Sequence, residues 1–212
     1  MADGSNAAQA AAQPSTSASL DPTALQEGVY SVRLNENNTA VIEPGAVTFS
    51  DGSKYSGGMR AGMRHGHGVL KFASGEVYDG EWRKDKRDGK GTMTFAPGHT
   101  FVGQWRADHM AGQGVETFPD GNVFEGTYDA GMMRGQGVLK FANGDRYDGA
   151  FDKDRMHGPG KLTQANGDVL EGPFRDGKRH GEMLITYAAT GKKYVVNFDD
   201  DALVGAPTLA PA

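Results

Sequence analysis

Glycine pairs of the form Gly-x-Gly recur along the chain, as in Gly66-His67-Gly68 and Gly135-Gln136-Gly137. A phosphate-binding loop needs a strand before the glycines and a helix after them, whose first amides point at the anion. No helical pattern follows any of these pairs, so they read as structural. His65 and His67 place two imidazoles near each other, short of the three or four ligands of a zinc site, and His157 and His180 stand alone. The Asn143-Gly144-Asp145 loop carries too few carboxylates for a calcium cage, and a hairpin turn explains it. Asp79 and Glu81 are paired carboxylates on an open polar face, where no burial raises their affinity for protons. Gly-Lys-Ser/Thr, a nucleophile elbow and His-Glu-x-x-His are all missing. The expectation is a protein without catalytic residues, metal ligands or cofactors.

The remaining candidates for chemistry are charges. Arg64, Lys86, Arg87, Lys178 and Arg179 fall in recurring polar corners, with Asp79, Glu125, Asp148 and Glu171 elsewhere in the same repeat. Lined up by the repeat, these predict a basic rim and an acidic rim. A basic side chain near anionic lipid gains about 1 kcal/mol, and clusters of about 4–8 are the usual signal. The corner charges are diluted by Asp85, Asp88 and Asp176, so a membrane is the lesser expectation.

Bulk properties agree. The chain has 212 residues, a net charge of −5 and 37% hydrophobic residues, and 32 glycines contribute no side chain to a core. A thin, elongated structure is expected. The negative balance disfavours nucleic acid. The absence of cysteine removes disulfides and Cys-ligated zinc and fits a reducing cytoplasm. No apolar run reaches the length of a transmembrane helix, and the N-terminus does not read as a signal peptide.

The elements that carry these residues come from a 23-residue period. Tyr55, Tyr78, Phe101, Phe124, Tyr147 and Leu170 are each 23 apart; glycine follows two residues after each, then Met59, Trp82, Trp105, Tyr128, Phe151 and Phe174 two further on. Strand alternation puts Tyr78, Gly80 and Trp82 on one face and Asp79 and Glu81 on the other; Gly91, Met93 and Phe95 likewise share a face. Each unit is therefore a β-hairpin with an aromatic face and a polar face. Gly80, without a Cβ, lets neighbouring rings lie flat across the backbone, closing the core of a sheet with no second layer.

Units join at Asp51-Gly52, Ser74-Gly75, Asp120-Gly121, Asn143-Gly144 and Asn166-Gly167, read as two-residue turns with positive φ at both central residues. Pro97-Gly98 predicts a type II or longer turn. The inner corners, such as Lys84-Asp85-Lys86-Arg87-Asp88, read as longer and polar. Two columns are broken: Glu116 stands where Leu70, Met93, Leu139 and Leu162 stand, and Gln164 replaces an aromatic. The predicted organisation is a disordered tail over 1–26 and a worn capping repeat over 27–49, in which Tyr30, Val32 and Leu34 pair with the Gly45–Phe49 stretch. Six repeats follow over 50–187, then a half repeat over 188–201 whose Asp199-Asp200-Asp201 guards the sheet edge, and a tail over 202–212. About 13 strands at ~4.8 Å predict a rod of roughly 60 Å.

Tyr78-Asp79-Gly80-Glu81-Trp82 followed by Asp88-Gly89-Lys90-Gly91 resembles the MORN (membrane occupation and recognition nexus) repeat, as do Phe101-Val102-Gly103-Gln104-Trp105 and Tyr147-Asp148-Gly149-Ala150-Phe151. The resemblance covers residues 50 to about 187. It implies an all-β, elongated, single-layer antiparallel sheet of tandem hairpins. It also implies scaffolding roles in ciliary axonemes and radial spokes, parasite cytoskeleton, membrane junctions or accessory parts of enzymes, with no catalytic residues. The expected function is a protein-binding scaffold in a cytoskeletal assembly, with the axoneme of a cilium or flagellum favoured by analogy. A lipid tether and a regulatory subunit of an enzyme complex are the alternatives. The expected partner groove is the stripe Tyr78, Trp82, Phe101, Trp105, Phe124 and Tyr128, a trough that fits an amphipathic helix; the competing reading makes those rings the core itself.

Overall fold

The structure, a computed structural model, describes residues 31–34, 40–43 and 47–210, which contain strands and turns and no helix. The tail expected over 1–26 lies outside the described residues, as do parts of the expected capping repeat. Strands β1 (Ser31–Leu34) and β2 (Ala40–Glu43) form a two-stranded ribbon of their own, with Val32 opposite Ile42. This corrects the expected partner of Val32 and Leu34: a nearby strand was available within a short hairpin, and the Val47 stretch pairs onward instead.

From β3 (Val47–Thr48) the chain runs as one open antiparallel sheet of 16 strands in sequence order. The first units contribute β4 (Lys54–Arg60), β5 (Met63–Lys71), β6 (Val77–Arg83), β7 (Lys86–Ala96), β8 (His99–Arg106) and β9 (His109–Thr117). Then come β10 (Val123–Asp129), β11 (Met132–Lys140), β12 (Arg146–Asp152), β13 (Arg155–Thr163) and β14 (Val169–Arg175). The sheet ends with β15 (Lys178–Arg179), β16 (Gly181–Thr186), β17 (Lys193–Asp199) and β18 (Ala202–Leu209). β15 and β16 both pair with β14, so fifteen strands stand in line and span roughly 65–70 Å at ~4.8 Å each.

The register lines up the repeat. Tyr78 lies opposite Leu70 and Met93, Gly80 opposite Gly68 and Gly91, and Trp82 opposite Gly66 and Arg87. Without a second layer, the aromatic face has to cover itself. A Cβ on Gly91 would fall 2.3 Å from the Tyr78 hydroxyl and 2.6 Å from its ring, so Tyr78 lies flat over the glycines of its own strand and the next. Rings then meet edge to face along the sheet: Tyr78–Trp82 at 5.0 Å, Tyr78–Trp105 at 5.4 Å, Phe101–Tyr128 at 5.0 Å and Phe124–Phe151 at 4.8 Å. This geometry favours aromatic pairs beyond their area alone.

The two kinds of turn are the reverse of expectation. The inner corners are two-residue turns with positive φ at both positions, as at Lys84 (51°) and Asp85 (66°) or Ala107 (49°) and Asp108 (73°). The unit joints are longer: Gly144 N donates to Phe141 O (3.0 Å), Phe141 N to Asp145 O (2.9 Å), and only the glycine (φ 94°) is left-handed. That is a type I turn followed by a left-handed glycine, the three-residue hairpin loop. At Pro97-Gly98 only Gly98 has positive φ (78°), as a type II turn requires.

At the second corner position a carboxylate supports a left-handed aspartate. Asp85 Oδ1 accepts Arg64 N (2.8 Å), Asp108 Oδ1 accepts Arg87 N (3.0 Å) and Asp154 Oδ1 accepts Met133 N (2.8 Å). Each corner is thus stitched to the one before it. A second ladder joins the unit loops: Asn122, Asp145 and Asp168 accept the amides of Ala142, Ala165 and Ala188.

The expected tail over 202–212 is corrected in its greater part, because Ala202–Leu209 is the last strand, paired with β17. Asp200 and Asp201 form the β17–β18 corner (φ 47° and 72°) and do not guard the edge. Their sequence position suggested an edge only because the strand after them has no aromatic to mark it.

Candidate functional site

The aromatic face is the core. Tyr78, Trp82, Phe101, Trp105, Phe124 and Tyr128 are between 0 and 5% exposed. The solvent-open stripe expected from these six is therefore corrected: overlapping edge-to-face rings bury one another, and the competing core reading describes them. Half-buried residues remain on that face, among them Leu139 and Leu162 in the inner column and a border of Phe72, Phe95, Phe118 and Phe141 toward the unit joints and Met110 and Met156 toward the corners. The Tyr78 hydroxyl and both indoles find backbone acceptors. Tyr78 donates to Glu81 O (3.0 Å), Trp82 Nε1 to Gly68 O (3.0 Å) and Trp105 Nε1 to Gly91 O (3.2 Å). Burial pushes the Tyr55 and Tyr147 phenols up to about 12.

The five basic residues proposed for lipid divide. Arg64 donates to Asp85 Oδ1 (3.2 Å) and Asp85 O (2.7 Å), with its guanidinium 4.1 Å from the centre of the Trp82 ring. Arg87 repeats this with Asp108 and Trp105, at 4.4 Å, and Arg179 with Asp201 (2.7 Å) and Phe198 (4.4 Å). These three are structural cations, stacked and neutralised. Lys86 and Lys178 are exposed, and Lys178 Nζ lies 4.0 Å from Asp200. No dense basic patch results. The expected acidic rim is corrected too: Asp79 and Glu125 lie in the column of Val102 and Val115 on the polar face, inside the strands. Val102 is 53% exposed there. Nearby, His67, Asp79, Glu81, Lys90, Gln104 and Gln113 border a shallow depression of about 480 Å³.

Metal chemistry finds no open site in these groups. His180 Nδ1 lies 3.3 Å from Asp199 and 3.5 Å from Asp200, but Arg175 Nη2 holds Asp200 at 2.7 Å and Asp199 at 3.7 Å. The Asp200 carboxyl is held below its ordinary range by that Arg175 bond. The Asn143-Gly144-Asp145 loop has its carboxylate engaged by protein donors, with Asp145 Oδ1 accepting Ala165 N (2.8 Å) of the next unit loop and Oδ2 accepting Asn143 Nδ2 (3.0 Å).

One constellation lies beyond what sequence reasoning assembled. Glu116, 7% exposed, is buried between Phe101 and Phe124, which face it across the strands on either side. Its Oε2 accepts Tyr128 Oη (2.7 Å), and its Oε1 lies 2.9 Å from His99 Nε2. The His99 ring stacks on Phe95 at 4.3 Å and Phe118 at 6.0 Å. Burial first, then the bond to Glu116, holds the Tyr128 phenol far above its ordinary value. The signal available in sequence was Glu116 among Leu70, Met93, Leu139 and Leu162, with His99 the one histidine of its column and Tyr128 the one hydroxyl of its own.

The repeat profile settles the family. The MORN repeat matches residues 55–77, 78–100, 101–123, 124–146, 147–169 and 171–182, more than half of the chain. The chain belongs to the MORN repeat family. The MORN repeat is a binding and scaffolding repeat. No curated protein matches its sequence. Among solved structures, the TCP10 domain of zebrafish (Danio rerio) CPAP is 13% identical, with a TM-score of 0.45, covering 73% of this chain and 74% of that one. The TCP domain of SAS-4 (dCPAP) from Drosophila melanogaster, solved with a proline-rich motif of Ana2, is 12% identical, with a TM-score of 0.46, covering 88% and 96%. At these identities and scores the neighbours contribute nothing to the functional reading.

Proposed function

We propose that this MORN array is a rigid, non-catalytic scaffold of a cytoskeletal assembly that holds a partner protein along its aromatic face, with a cilium or flagellum the favoured setting. The carrying observation is the half-buried border of that face, phenylalanines on one side and methionines on the other. The buried rings are the floor and the border supplies the contacts. An amphipathic helix fits: its apolar side meets Phe72, Phe95 and Phe141, and methionine adapts to irregular partners. Family membership supports a scaffold in general, and the cytoskeletal and ciliary setting rests on the analogy with other MORN proteins. The lipid tether loses support because Arg64, Arg87 and Arg179 already have carboxylate and ring partners.

The test is capture of partners from a lysate of ciliated cells by the full chain, read by mass spectrometry, beside Phe72→Asp/Phe141→Asp. The expected result is a cytoskeletal partner retained by the wild type and lost by the variant while its β spectrum is unchanged. Equal capture by both overturns the aromatic-face assignment and moves binding to the polar face. Binding to anionic vesicles that survives in the variant, without a protein partner, overturns the scaffold reading itself.

A further inference from the structure

We propose that His99, Glu116 and Tyr128 form a register key, a buried polar contact that specifies which unit packs beside which in an array whose units are otherwise interchangeable. The need for such a key follows from the repeat. Any unit offers its neighbours the same columns, an aromatic, a pair of glycines and a second aromatic, so a strand displaced by a whole unit, or exchanged with the same unit of another chain, recovers nearly all its contacts. Glycine-rich repeated strands specify register weakly, and exchange between units is a characteristic failure of repeat proteins.

Glu116 removes that degeneracy. It is the only charged residue in the core among the described residues, and each of its oxygens has a partner that no other unit supplies. In the column of His99 the other residues are Ser53, Glu76, Asn122, Asp145 and Asp168. Several of those are committed to stitching the next loop, whereas Pro119, standing where Ala73, Ala142, Ala165 and Ala188 stand, has no N–H to offer residue 99. His99 is therefore free to reach Glu116. In the column of Tyr128 the others are Met59, Trp82, Trp105, Phe151 and Phe174; only Tyr128 has a hydroxyl, and both indoles donate to glycine carbonyls. In any other register the buried carboxylate loses at least one of these partners, the Tyr128 hydroxyl where β9 meets a strand other than β10, and an uncompensated buried charge is strongly destabilising. A single buried polar residue sets register and oligomer state in coiled coils by the same logic.

The test is refolding of the full chain from denaturant over a range of concentrations, with species counted by native mass spectrometry and stability followed by thermal melts. Four proteins are compared: wild type, Glu116→Leu, Tyr128→Phe and the double variant. Glu116→Leu is expected to melt at or above the wild-type midpoint, because leucine holds this same column in three other units, at Leu70, Leu139 and Leu162. It should nevertheless yield a several-fold larger share of unit-exchanged dimers and higher oligomers. Tyr128→Phe should lower the midpoint, and Glu116→Leu should restore it in the double variant. Refolding of Glu116→Leu to a monomer as uniform as the wild type overturns the proposal. So does its failure to fold, which would make Glu116 a stability residue, and so does an unchanged midpoint in Tyr128→Phe.

Discussion

Glycine has two separate duties in this sheet, and single substitutions distinguish them. At Gly91 a Cβ would meet Tyr78 at 2.3–2.6 Å, and the ring is pinned by its hydroxyl bond to Glu81 O. Gly91→Ala should destabilise by about 3 kcal/mol or more, the upper range for overpacking. At Gly135 the space is open and only a φ of 74° is at issue, so Gly135→Ala should cost about 1–2 kcal/mol, the penalty of the left-handed conformation. Chemical denaturation of the two variants gives the comparison, and equal effects would remove the flat-ring explanation of the core. The buried tyrosines carry a second prediction. Tyr55 and Tyr147 have an ordinary value of 10.0 and are pushed up to about 12 in the fold by burial. A group whose folded value is raised contributes stability that is complete below its unfolded value and disappears as pH climbs through the folded one. The array should therefore hold its midpoint up to about pH 10 and lose stability between about 10 and 12. Spectrophotometric titration should show tyrosines ionising late and together with unfolding.

At the scale of the element, the hairpin corner is the unit that propagates. Asp85, Asp108, Asp154 and Asp201, each the second residue of its corner, give a carboxylate oxygen to an amide beside the preceding corner, so a strained turn in one unit satisfies a donor in another. Asp154→Ala leaves Met133 N without its acceptor and keeps a positive φ of 66° on a residue that disfavours it. The expected loss is about 1–3 kcal/mol. Asp154→Gly relieves the φ and restores only that part, and Gly131 and Gly177 show that the corner accepts glycine. Hydrogen exchange localises the effect: faster exchange at Met133 with unchanged exchange in β4–β6 is expected, and uniform acceleration would show that the stitches act globally. The last strand is different in kind. Leu203 and Leu209 prolong the aromatic columns past Phe198 and Tyr194 and remain 53% and 69% exposed. Gly205, at φ 75°, and Pro207, which has no N–H, interrupt its length. Such interruptions are how a sheet edge avoids further pairing.

At the scale of the molecule, a sheet one layer thick is a sum of nearest-neighbour interfaces, and its length is set by the number of units. Deleting residues 147–169 removes one whole period and should shorten the rod by about 9.6 Å, two strand spacings, while leaving a cooperative β fold. Deleting residues 124–146 removes the same length but brings Phe151 to the place of Tyr128, leaving Glu116 without its hydroxyl donor. The first deletion should be the more stable of the two. X-ray scattering and thermal melts on the pair check both statements, and equal stability would count against the uniqueness of the central contact. The same additivity suits a scaffold, because a partner meets a repeated surface at a fixed pitch.

The 23-residue period, the strand alternation and the glycine at every ring crossing are local facts, and from residues such as Tyr78, Gly80 and Trp82 they determined the single-layer antiparallel sheet and its aromatic side. The sequence by itself also marked Glu116 as out of place. Tertiary structure decided what depends on distances between units. It chose which turn is tight, since the left-handed Asp85 is held by the Arg64 N–H bond to its carboxylate, a contact between units. It converted the aromatic stripe from surface to core, because ring overlap depends on the register between strands. It turned Arg64 and Arg87 from free charges into stacked ion pairs with the next corner. It brought His99 and Tyr128, 29 positions apart, onto one carboxylate, a meeting that periodicity hides because no other unit repeats this set of three side chains.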